Sequence, residues 1–282
     1  MVPPLQTAIA SLPFLGYGVV AGIGSLIVIR RTSSSCARGG ALSRRDDSRD
    51  KRAAWWLLLL SRIGLLMLTI GTLIDNGRHL FGAIDPANNA ASLGLTWFLE
   101  LNHEVICCCC PAVGLQLISV ANPMKRDHIR WLAATCVVIF ACFCVGLFGF
   151  VAYTAPKGME IDDYFGVHTA SPEGENPLAL FCIIVTCVVA LAASVMLSCA
   201  RGWKEWGWLV VCQLLGIAGQ SLLSTFNAGY AFYGSNFWEQ VTIFSLVIAD
   251  GVINEDEKQE KEEGDGNAKL LMLADSAVII GA

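Results

Sequence analysis

The chain has 282 residues, 55% of them hydrophobic and only 15% charged, with a formal net charge of −5. Soluble domains carry about a quarter charged residues, so this composition excludes an ordinary water-facing globule. The acidic excess is local: Glu255 to Asp275 holds eight acidic and three basic residues, the rest of the chain balances, and no basic patch with interleaved aromatics invites a nucleic acid.

A helix of about 20 apolar residues crosses the hydrocarbon core of a bilayer. Seven segments meet that requirement: 5–29, 54–74, 95–121, 131–153, 177–200, 207–231 and 236–253. The expected fold is all-α, a polytopic membrane protein whose seven-transmembrane-helix bundle occupies residues 1–253. Residues 254–282 form an acidic, disordered tail with an apolar end, Leu270 to Ile280, whose cytosolic partner the sequence does not name.

The first segment follows an uncharged Met1 to Pro4 and is closed by Arg30 and Arg31. A cleaved signal has a basic start and a shorter apolar core, so this run reads as a membrane anchor. The basic stretch from Arg30 to Arg52 has no apolar periodicity and is expected to be flexible, lying against anionic lipid. The second span ends in Asp75, Arg78 and His79. The third carries Trp97, Glu100, His103 and Glu104 on one face, shared with Cys107, Pro111 and Gly114. Four cysteines, Cys107 to Cys110, follow. Successive helical residues point about 100° apart, so the run suits close helix packing better than a metal.

His128, in the loop before the fourth span, is expected to be exposed, as is His168 in the acidic, solvated loop 155–176. The fourth and fifth spans hold almost nothing ionisable and read as lipid-facing support. The sixth carries a stripe of Gln213, Gly216, Gln220, Ser224 and Asn227. The seventh has Glu239 near one end and Asp250 near the other. No cysteine falls in an expected outer loop, so no extracellular disulfide framework is expected.

Lysine and arginine gather on cytosolic flanks. Sixteen of the nineteen lie after the first, third and fifth spans or in the tail; Arg78 and Lys157 lie in the alternate loops and Arg62 inside a span. The expected orientation has the N-terminus outside and the C-terminus in the cytosol. That places Asp75, His79, Glu100, His103, Glu104, Asn227 and Glu239 together in the outer third of the membrane. Arg62 and Asp250 share a depth near the inner face, where pairing would relieve both charges.

Two functions compete for the outer cluster. The preferred one is a non-enzymatic, receptor-like or transporting protein that binds a small solute through Trp97, Glu100, His103, Glu104, Asn227 and Glu239. The alternative is a metal-dependent intramembrane hydrolase acting on a lipid, with zinc or iron held by Asp75, His79, His103 and Glu104. In topology alone the chain resembles G-protein-coupled receptors. The third span, however, ends Val120-Ala121-Asn122-Pro123 without an acidic-Arg-Tyr triplet, and the seventh has no Asn-Pro-x-x-Tyr. The protein is expected in a membrane as a multi-pass chain, with plasma membrane and endomembrane equally compatible.

Overall fold

A computed structural model describes residues 4–42, 49–84, 90–121, 127–164, 167–172, 176–224, 234–253 and Glu255. The helices are α1 (Pro4–Leu42), α2 (Arg49–Ile84), α3 (Ala90–Glu104), α4 (Pro111–Ala121), α5 (His128–Gly149), α6 (Pro177–Arg201), α7 (Trp203–Ser224) and α8 (234–253). Among the described residues, α1, α2, α5, α6 and α7 are long and apolar enough to cross a membrane, which is the pattern of a multi-pass membrane protein. Their outward faces carry large apolar side chains, such as Leu26 at 67% and Phe140 at 69% exposure. Lipid, not water, is the solvent that makes such faces favourable.

The third expected span is not one helix. α3 stops at Glu104, a 3₁₀ turn runs Ile106–Cys109, and α4 begins at Pro111. Pro111 has no N–H to give, and its ring crowds the carbonyl four residues back, so an α-helix cannot run through it undisturbed. The cysteine run therefore lies in a 3₁₀ turn, not on an α-helix. The seventh expected span is helical over 234–253, but Asn236, Glu239, Gln240 and Asp250 dilute its apolar character.

Two expected loops hold regular structure over their described residues. The basic stretch is helical up to Leu42 and again from Arg49. Thr32 donates to the carbonyl of Val28 at 2.8 Å and Ser34 to that of Arg30 at 2.9 Å, so the hydroxyls bond back along the helix instead of ending it. At 1.5 Å per residue α1 is roughly 58 Å long, about twice the hydrocarbon thickness. Within 155–176, β1 (Met159–Tyr164) and β2 (Val167–Pro172) form an antiparallel hairpin, with Asp163 opposite His168. Ile161, Tyr164, Val167 and Thr169 supply the β-branched and aromatic side chains that favour strands, and β2 rests on α2 and α3.

His128, expected to be exposed, opens α5 and holds Asp50 of α2: ring Nδ1 to Oδ2 is 2.8 Å, and the backbone N–H donates to Oδ1 at 3.1 Å. α6 and α7 are joined through Gly202 alone. Its φ of +114° is open to glycine without strain.

The core centres on α4, which packs on α2, α5 and α6. One apolar cluster joins Val28 of α1, Leu65 of α2, Leu117 of α4, Leu197 of α6, Leu209 of α7 and Leu246 of α8. α5 reaches that cluster through the half-buried Trp131 and itself buries only Thr135, Cys142, Gly146 and Gly149. Cys108, Cys142 and Cys182 form a small buried cluster of their own. The Cys110 thiol points to the carbonyl of Gly64 at 3.8 Å.

Candidate functional site

A half-open cavity of about 180 Å³ is walled mainly by α6, α7 and α8, with Leu68 of α2 and Cys110 completing its lining. α8 presents Glu239, Thr242, Ile243 and Leu246 to it. Their spacing of three, four and seven residues places them on one helical face. α7 contributes Gln213 and Gln220, two turns apart, and α6 contributes Cys182, Ile183, Thr186, Cys187 and Ala190. α6 thus does more than support the bundle.

Glycines on α7 let α8 come this close. A Cβ on Gly216 would strike the Thr242 hydroxyl, and one on Gly219 would lie 2.5 Å from the Trp238 ring. The approach brings Gln213, fully buried, to the α8 backbone. Its Nε2 donates to the Thr242 carbonyl at 3.0 Å and to Ser245 Oγ at 2.7 Å. A carbonyl can only accept, so the amide orientation is fixed. Gln213 Oε1 has no hydrogen-bond partner among the described residues.

The sequence-derived site residues divide among three places. Glu239 lines the cavity. Asp75 accepts from Arg78 Nε at 2.8 Å, and its Oδ1 lies 3.3 Å from His79 Nε2. His79 is fully buried against Phe14, with ring centroids 4.8 Å apart. Glu100, half-buried on α3, lies within electrostatic reach of Arg78, Glu104 and Asp75, and Glu239 feels Asp75 and Arg78 in turn. α2, α3 and α8 therefore share one electrostatic neighbourhood.

Glu104 belongs to a structural tie. It is 2% exposed, and the Thr154 hydroxyl lies 2.7 and 2.9 Å from its two oxygens. Asn176 Nδ2 donates to Thr154 at 3.2 Å, while Asn176 Oδ1 caps the Leu178 N–H at 3.0 Å. Trp97 packs edge-on against Phe150, 6.4 Å between centroids, away from the cavity. The side chain of His103 and all of Asn227 lie outside the described residues.

Near the other end, Asp250 pairs with Arg62, 3.4 Å from Nε to Oδ1, with the two side chains 5% and 0% exposed. Arg31 Nη1 lies 3.5 Å from Asp250 Oδ2 and donates to the Val247 carbonyl at 2.7 Å.

Zinc or iron would need three or more donors converging at about 2 Å. Among the described residues no group of three or more His, Cys, Asp and Glu side chains is so placed, and Glu104 is engaged by Thr154. Of the four expected ligands, Asp75, His79 and Glu104 make no such group by themselves, and the fourth is His103.

Thr186, Cys187 and Thr242 were missed in the sequence reading. The Glu239-x-x-Thr242 spacing was a signal for Thr242; nothing marked Thr186 or Cys187 apart from other small residues of a lipid-facing span. No protein-family model matches the chain, and no curated protein matches it either, so its function has to be argued from the cavity itself.

Proposed function

We propose that the chain is a seven-span membrane protein, N-terminus outside and C-terminus cytosolic, that binds a small solute in this cavity and moves it through the bundle. α3 and α4 together make the third span, and α8 makes the seventh. The observation that carries the reading is the cavity's polar wall: Glu239, Gln213, Gln220, Thr186 and Thr242 among apolar neighbours. An apolar pocket with a few placed polar groups is the usual form of a small-molecule site. Gln213 favours transport over sensing: Gln220 follows Gly219, which meets Trp238, and so lies level with Glu239, whereas Gln213, two turns along α7 beside Thr242 and Ser245, carries the polar lining deeper. The solute site then centres on Glu239, with Glu100 and Arg78 shaping the field beside it.

Cys187 in the cavity wall provides the test. In the detergent-purified full chain, methyl methanethiosulfonate should modify Cys187, as read by peptide mass spectrometry. If Cys187 stays unmodified while the exposed Cys199 reacts fully, small molecules do not enter and the reading falls.

A further inference from the structure

We infer that the cavity takes a small organic cation, an ammonium on an apolar body of single-ring size; this rests on the proposal that the cavity binds a solute. The argument is an account of donors and acceptors. No Lys, Arg or His lines the cavity. Gln213 has used both amide protons on α8, leaving Oε1 as a buried acceptor without a partner among the described residues. The Thr186 and Thr242 hydroxyls donate to the carbonyls of Cys182 and Trp238, at 2.9 and 3.1 Å, so toward the cavity their oxygens can only accept. Cys110 and Cys182 point their thiols to the carbonyls of Gly64 and Cys142. The fixed polar oxygens of the wall are therefore acceptors, Gln220 is the one adjustable amide, and the Cys187 thiol is a weak donor beside them.

Charge agrees with this account. Among the described residues Glu239 forms no salt bridge, and the guanidinium whose field reaches it, Arg78, is already bonded to Asp75. A carboxylate inside a membrane protein needs a positive partner or a proton. An ammonium supplies the charge and up to three N–H donors for acceptors that have none. Leu68, Ile183, Ala190, Ile243 and Leu246 take the apolar body. A cavity of about 150 Å³ holds a benzene ring, so 180 Å³ suits a ring bearing one short polar arm.

The experiment measures protection of Cys187, whose thiol lies within electrostatic reach of Glu239. The purified full chain is treated with methyl methanethiosulfonate in the presence of benzylamine, benzyl alcohol or benzoate. Benzylamine should slow Cys187 modification by about tenfold or more, with little effect from the alcohol or the acid. Glu239→Gln, nearly isosteric, should remove the protection, read as the ratio of Cys187 rates with and without benzylamine in the same variant, while leaving the unfolding temperature close to wild type; the bare rate itself should rise once the carboxylate's field is gone. Equal protection by the alcohol, protection by benzoate, or benzylamine protection that survives in Glu239→Gln would overturn the cation assignment and leave the solute-binding reading standing. So would a reactive Cys187 that none of the three protects. An unreactive Cys187 would overturn both.

Discussion

Arg62 and Asp250, 188 residues apart in sequence, meet at 3.4 Å where α2 and α8 cross, and Arg62 is fully buried there. Arg62 also donates to the Arg31 carbonyl at 2.9 Å, so the pair ties α1 into the same joint. Removing one partner of a buried ion pair leaves the other charge uncompensated. Asp250→Leu should lower stability by about 3–5 kcal/mol, measured by unfolding in detergent. Adding Arg62→Met should recover most of that loss. A single variant as stable as wild type would mean that the pair contributes nothing.

Thr154→Val removes the one hydroxyl that both Glu104 oxygens share. Hydrogen bonds to charged groups contribute about 1.5–3 kcal/mol, and a loss of that size is expected in the same unfolding measurement. Thr154→Ser, which keeps the hydroxyl, should stay near wild type.

Gly216→Ala places a methyl against the Thr242 hydroxyl and the Trp238 carbonyl. Overpacking of this kind costs about 1–3 kcal/mol, and the variant should also change Cys187 reactivity by shifting α8. At Gly22 the nearest atom to an added Cβ is 4.0 Å away. Gly22→Ala should therefore be neutral or slightly stabilising.

The orientation is tested in intact cells. A cysteine introduced by Gly166→Cys, between the two strands, should react with an impermeant maleimide from outside, whereas Cys36 should react only after permeabilisation. The opposite pattern would invert the topology.

Elemental analysis separates the solute-binding reading from the metal-dependent hydrolase. The purified protein should carry no stoichiometric zinc or iron. One equivalent, lost in a folded His79→Ala/His103→Ala variant, would favour the hydrolase and bring His103 to its centre.

The apolar runs were legible because hydropathy alone defines them, and the Arg62–Asp250 pair was legible because matched depth follows from topology. The break at Ile106–Cys109 was not, although Pro111 announced it: an apolar run long enough to span hides a change of helix type inside it. Glu104 looked like a site residue because an acid in a span usually serves a function. Its partner, Thr154, comes from another helix 50 residues on, and nothing local marks the two as a pair. The cavity was legible only in part. Glu239, Gln213 and Gln220 stood out as polar groups in spans. The apolar wall and Thr186 acquire meaning only once α6, α7 and α8 are packed.

α4 has nine buried residues among its eleven, so lipid scarcely touches it. The chief of the helices that cover it, α6, is made later in the chain than α2 and α5. During synthesis one side of α4 therefore faces lipid until the polypeptide has reached about residue 200, and its apolar side chains suit that solvent. A chain truncated before α6 would keep α4 in the membrane with that side open to whatever apolar helix it meets.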